Sequence, residues 1–166
     1  YGERACRELI RGLAGQPVTI VSGLALGIDA VAHEAALETG LHTDAIPGSG
    51  LDRDVLHPRS NIGLAYRILD ANGALVSELE PSTRASKWSF PQRNRIMAGM
   101  SHAVLIVEAG DRSGTLITAR LGLEYGREVC AVPGSIFSET SAGAHALIRD
   151  GARPIMASTD LCEVLS

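Results

Sequence analysis

Val18-Thr19-Ile20-Val21-Ser22-Gly23-Leu24-Ala25-Leu26-Gly27-Ile28-Asp29-Ala30 passes from a β-branched run through a glycine-broken turn into an apolar helix start. The run at 18–21 has the composition of a strand buried on both faces. Gly23 and Gly27 interrupt it, and Asp29 stands where it would cap a helix opening at Ala30. Strand, tight loop and helix form the unit from which parallel sheets are assembled. The same succession recurs along the chain. Further strand-like runs fall at 43–46, 74–77, 103–107, 128–132 and 153–156. Helix-period segments fall at 2–13, 30–39, 61–71, 91–100, 115–125 and 143–149, with a final short one at 160–165. Gly40 and Gly126 follow their helices as stop residues, and Pro91 suits a first helical turn, where its missing N–H costs nothing. The expected fold is α/β, a doubly wound, mostly parallel sheet with helices on both faces.

At 166 residues the chain is expected to be one domain. No apolar run approaches the roughly 18 residues that a membrane helix needs. Cys6, Cys130 and Cys162 are odd in number and widely spaced, so they read as idle thiols in a reducing, cytoplasmic setting rather than as a metal or disulfide set. None of the five histidines stands at a metal-ligand spacing from another ligating residue on a shared element. No metal or cofactor is expected.

Ligands of open α/β sheets bind at loops beyond the carboxyl ends of the strands. The long irregular segments at 47–58, 79–90 and 133–142 each follow a predicted strand. Glycine-rich turns do so as well. Ser22-Gly23 opens the first loop, and Gly48-Ser49-Gly50 follows the second strand. Ser113-Gly114-Thr115 sits at a helix start, where hydroxyls and free N–H groups make a phosphate cradle. Pro133-Gly134-Ser135 supplies a fourth turn. None has the spacing of a dinucleotide fingerprint or a P-loop. Together they predict an anion-binding rim, with simple capping and turn formation as the alternative at each loop.

One stretch stands apart in charge. Between Pro81 and Ser101 lie Arg84, Lys87, Arg93 and Arg95 and no acid, in a chain of formal net charge −4. Trp88 and Phe90 sit among these cations. Interleaved cations and aromatic rings suit single-stranded nucleic acid, whose phosphates meet the former and whose bases stack on the latter. Lys87 is the residue hardest to explain structurally. Arg93 and Arg95 have a competing role as partners of Glu78, Glu80 or Glu108, and Phe90 and Trp88 as packing residues. No nucleophile elbow and no paired-carboxylate motif is present, so no catalytic residue is assigned.

The ordered motifs Ser22 to Asp29, Ala32-His33, Gly50-Leu51-Asp52, Phe90-Pro91-Gln92-Arg93-Asn94-Arg95, Ser113-Gly114-Thr115-Leu116-Ile117-Thr118-Ala119, Val132-Pro133-Gly134 and Leu147-Ile148 resemble the DNA-processing protein A (DprA/Smf) family. The resemblance spans nearly the whole chain. It implies an extended Rossmann-like domain, part of a longer protein, with a first strand and a Gly-Ser-Arg loop upstream of Tyr1. It implies a homodimer without catalytic activity that binds single-stranded DNA during natural transformation, shields it and helps load the RecA recombinase. By position it places Lys87, Phe90, Arg93, Asn94 and Arg95 in the DNA-binding pocket. Ser22, Gly23, Gly48, Gly50, Ser113, Gly114 and Thr115 would line that pocket, and His145 and Ile148 would lie on the dimer surface. Two departures stand out. Leu26 occupies a position where some relatives carry a basic residue. Leu56-His57-Pro58 replaces a commoner Tyr-Pro, so an aromatic contact there is either lost or carried by His57.

Two other functions compete. Related phosphoribohydrolases carry a catalytic Glu three residues after their Gly-Thr, whereas this chain has Thr118 there. A small-nucleotide sensor would use the same cradle, because a mononucleotide phosphate and a DNA phosphate need the same donors.

Overall fold

A computed structural model describes all residues, Tyr1–Ser166. The elements are α1 (Gly2–Arg11), β1 (Thr19–Ser22), α2 (Ile28–Glu38), β2 (His42–Ala45), α3 (Ile62–Asp70), α4 (Ser89–Met100), β3 (Ala103–Ile106), α5 (Thr115–Glu124), β4 (Glu128–Ala131), α6 (Ala142–Arg149), β5 (Arg153–Pro154) and α7 (Ser158–Leu165). Every strand pairing is parallel: β1 with β2, and β3 with β4 with β5. The chain is therefore α/β and doubly wound, as expected. No helix is long and apolar enough to cross a membrane.

The period of two along the strands divides the interior into two layers. Leu105 and Val107 of the β3 segment, with Cys130 and Val132 of the β4 segment, face a core shared with α1, α2 and α7. The intervening Val104, Ile106, Val129 and Ala131 face the opposite core, closed by α4, α5 and α6. On α1 the buried Cys6, Leu9 and Ile10 follow the spacing of one helix face, and Leu13 just after the helix joins them. A third cluster seats α3 against β2 through Leu64, Ala65, Ile68 and Ala45. Ile20 of β1 and Leu105 of β3 belong to the same core, but no backbone ladder joins the two strands.

Three local expectations need correction. The strand expected at 74–77 contracts to one parallel bridge between Leu75 and Ala45. Its neighbour β2 runs into Pro47, which has no N–H to extend the ladder. The strand expected at 153–156 is only Arg153–Pro154, again ended by a proline. Asp29 does not cap α2. That helix starts at Ile28 with Gly27 as its cap residue, and the Asp29 carboxylate turns back to accept hydrogen bonds from the backbone N–H groups of Gly23 (3.0 Å) and Ala25 (3.2 Å).

Because all strands run parallel, their carboxyl ends and following loops share one edge. The loop at 79–90 reaches this edge from the Leu75 bridge and feeds α4, and it carries the basic stretch to the rim.

Candidate nucleic-acid interface

Two serines fix the loop that enters α4. The Ser86 N–H donates to Ser89 Oγ (2.9 Å), and the Ser89 N–H donates to Ser86 Oγ (3.2 Å). Ser89 Oγ in turn donates to the Gly48 carbonyl, which ties the loop to the turn after β2. Lys87 and Trp88 sit between the two serines and are pushed outward. Trp88 is 73% exposed, so it does not pack under the loop. The Lys87 ammonium lies 5.2 Å from the centroid of its ring, within reach of a cation–π attraction. No carboxylate lies within ion-pair distance of Lys87. Phe90 is half-buried, and its ring centroid stands 5.7 Å from that of His57 at a tilt of 54°. His57 thus gives Phe90 a neighbouring ring from the loop after β2.

Arg93, Asn94 and Arg95 diverge as α4 turns. Arg93 is 7% exposed. Its Nη1 donates to the carbonyls of Gly23 (2.7 Å) and Ile46, and its Nε donates to Asn94 Oδ1. Burial draws the guanidinium pKa below its ordinary value, opposed by the nearby Asp29 carboxylate; it remains a cation at any working pH. Arg93 therefore locks the loop after β1 to the end of β2. This corrects its assignment as a phosphate contact, because the guanidinium faces buried carbonyls rather than solvent. Its partners are also not the carboxylates expected of a structural arginine. Arg95 is exposed and does hold a carboxylate, both oxygens of Glu78. Asn94 is buried, and its Nδ2 donates to the Gly114 carbonyl (3.4 Å).

The glycine loops also divide. The loop 22–29 is closed on itself. Asp29 accepts from Gly23 and Ala25, Asn61 Nδ2 donates to the carbonyls of Leu24 (2.8 Å) and Ala25 (3.2 Å), and Arg93 occupies the Gly23 carbonyl. Ser22 ends β1, with its carbonyl taken by the Ile46 N–H. Gly23 thus has no donor left for an anion, which corrects its placement as a cradle residue. Gly48 and Gly50 are buried for a different reason. A Cβ on Gly48 would lie 2.5 Å from the Phe90 ring, and one on Gly50 would lie 2.2 Å from the Pro81 carbonyl oxygen. The Gly50 N–H is donated to the Thr83 carbonyl. Both glycines let the chain approach itself, and the engaged N–H of Gly50 corrects the reading of that residue as a phosphate donor. The third loop differs. Gly114 is exposed with open space around it, directly before α5, although Ser113 Oγ already accepts from the Thr115 N–H (3.2 Å).

His145 and Ile148 lie on α6. His145 Nε2 contacts the Gly134 backbone, and Ile148 packs partly against the second core. Arg84 and Trp88, which the charge and aromatic pattern of the basic stretch points to, stand at the rim as well, and Arg59 joins them without any signal in the sequence. Arg59 shows only once the loop after β2 is folded back beside the loop at 79–90.

The sequence matches the family model for DNA recombination-mediator protein A over residues 1–166. It is 47% identical over 165 residues to protein Smf of Escherichia coli, covering 99% of this chain and 44% of that protein. DNA processing protein A of Streptococcus pneumoniae superposes with a TM-score of 0.88 at 42% identity, covering 98% of this chain and 56% of that one. The Helicobacter pylori protein, whose structure is described for its single-stranded DNA binding mode, superposes with a TM-score of 0.86 at 31% identity, covering 99% and 74%. The chain spans about half the length of the curated relatives it matches, between 44% and 55% for those of Escherichia coli, Bacillus subtilis and Streptococcus pneumoniae.

Proposed function

Because the chain belongs to the DNA recombination-mediator protein A family, we propose that it binds single-stranded DNA at the Lys87–Phe90 loop. In this reading it shields incoming DNA in the cytoplasm and helps load the RecA recombinase onto it during natural transformation. It works as a homodimer through the α6 surface around His145 and Ile148, and it binds without catalysing a reaction.

One observation carries the binding step. A lysine without a carboxylate partner stands over an exposed tryptophan at the rim of the sheet, beside a half-buried phenylalanine. The ammonium suits a phosphate, and the rings suit unstacked bases, which every sequence offers. The single-stranded DNA binding of the Helicobacter pylori relative supports the same choice of ligand. Thr118 at the position of a hydrolase carboxylate supports a binding role.

Fluorescence anisotropy with labelled oligo-dT over a salt series tests this. The wild type is expected to bind the single strand far more tightly than its duplex. Lys87→Ala is expected to flatten the log–log salt dependence by about 0.7, the value of one phosphate contact on a single strand. An unchanged slope would remove Lys87 from the interface, and tighter binding to the duplex would overturn the function.

A further inference from the structure

A cavity of about 420 Å³ opens beside the Lys87–Phe90 loop, between the loop after β2 and residues 84 and 85. Its volume is in the range of roughly 300–1,000 Å³ that small ligands occupy. Arg59 and Arg84 line it from two different chain segments, together with His57 and the apolar Val55, Leu56 and Ala85. Asp54 is the single acid in the lining. Neither arginine has a carboxylate within ion-pair distance. Arg59 makes one long contact, from Nη2 to the Asp54 carbonyl at 3.5 Å. Two exposed guanidinium groups without carboxylate partners, beside apolar lining residues, gain little from the fold. They provide what an anion with an attached ring needs, because guanidinium binds phosphate oxygens in a planar fork.

The position of the cavity identifies the anion. His57 is shared, since its ring lines the cavity and also packs on Phe90. Arg84 lies three residues before Lys87 on one loop, so their Cα atoms are within about 11 Å of each other. A short stretch of sugar–phosphate backbone covers that separation. We propose that the Arg59–Arg84 groove holds the next backbone phosphate of the strand bound at Lys87 and Phe90, with its base against His57. This extends the single-stranded DNA reading and rests on it. The groove sets the direction in which the strand leaves the Phe90 site, away from α4 and toward the loop after β2. Asp54 restrains the affinity of this step, because it sets one negative charge beside the phosphate.

The test is oligo-dT anisotropy between 0.05 and 0.2 M salt on the full chain. It compares the wild type with R59A/R84A, R59K/R84K and D54N, and adds free thymidine monophosphate as a competitor. Losing the one phosphate held there would make the slope shallower by about 0.7, so the fall in affinity across that range would be about 2.6-fold smaller in R59A/R84A. R59K/R84K should keep most of the slope and D54N should bind more tightly. Both arginines are exposed, so the thermal midpoints should match the wild type and separate binding from folding. If the wild type binds oligo-dT and R59A/R84A keeps its full slope, the groove lies off the strand's path and the proposal fails while the function stands. If thymidine monophosphate displaces the strand as well as an equal concentration of oligo-dT nucleotides does, the groove takes free nucleotides and the proposal is again overturned. A folded wild type that does not bind oligo-dT would sink the function itself, and the groove's role with it.

Discussion

Acidification from pH 6.5 to pH 5 should cost the fold about 1.5 kcal/mol through one residue, His33. This side chain is fully buried between α2 and the β1–β2 pair. Thr43 Oγ1 donates to the Ile20 carbonyl at 2.8 Å, so its hydroxyl accepts the hydrogen bond it shares with His33 Nδ1 at 2.7 Å. That assigns the proton of the neutral ring to Nδ1 and leaves Nε2 as a buried acceptor without a partner. Charging the ring would place a proton on Nε2 in the core. Burial accordingly pulls the His33 pKa down from 6.5 to about 4, against the opposing pull of the Asp29 carboxylate. The unfolded chain protonates His33 near pH 6.5 and the folded chain does so only near pH 4, so acid favours the unfolded state throughout that window. Stability is complete above pH 6.5 and is lost as the pH falls, to a total of about 3 kcal/mol. Urea unfolding across the window measures this, with His33→Asn as the comparison. Asparagine retains a group able to meet Thr43 but does not titrate. Subtracting the two pH profiles cancels the other histidines and the carboxylates. Parallel profiles for wild type and variant between pH 5 and 6.5 would refute the buried, neutral histidine, as would an imidazole NMR titration for His33 centred near 6.5.

Three further substitutions test how the rim is built. Arg93→Ala should destabilise the chain by about 3 kcal/mol or more, because it strips a charged donor from two carbonyls in the interior. Arg95→Ala removes only an exposed ion pair and should cost no more than about 1 kcal/mol; equal losses in urea unfolding would contradict the division between the two arginines. Gly50→Ala forces a Cβ against the backbone oxygens of Glu80 and Pro81, at 2.3 and 2.2 Å, which cannot yield as a side-chain tip would. A loss of about 1–3 kcal/mol in thermal melts is expected, together with weaker oligo-dT binding as the loop at 79–90 shifts. An unchanged melt would show that the two loops separate at little cost.

Much of the framework was legible because its signals are local. The apolar runs at 103–107 and 128–132 are long enough to face both cores, and the structure divides them residue by residue as a period of two requires. Gly40 and Gly126 adopt φ of 72° and 66°, the left-handed turn their places after helices implied. The shortened strands were less legible, because a bridge such as that of Leu75 depends on where its neighbour stops, and Pro47 is far from it in sequence. The glycine loops show a deeper ambiguity. A glycine after a strand signals close approach of something to the backbone, but does not say whether that is a ligand's phosphate or the chain itself. At Gly23 it is Arg93, at Gly48 it is Phe90, and at Gly50 it is the loop through Pro81. Each partner lies some thirty to seventy residues away, and nothing at the glycine names it.

The Arg93-Asn94-Arg95 run carried information that its charge concealed. On a helix, successive residues are about 100° apart, so two arginines at i and i+2 point about 200° apart. They cannot both face one ligand or one core. Once Pro91 marks this run as a helix start, one arginine must turn inward and the other outward. Phe90 is three residues before Arg93 and four before Asn94, on the face that meets the sheet edge. That makes Arg93 the buried member and Arg95 the exposed one, as observed. The cations left to meet a ligand are then those carried by loops rather than by the helix. Lys87 and Arg84 precede α4, and Arg59 comes from across the rim. A binding surface made of loop cations on a scaffold locked by a buried arginine separates affinity from stability. Substitutions at the former should change the salt dependence of binding at constant melting temperature, whereas Arg93→Ala should lower both together.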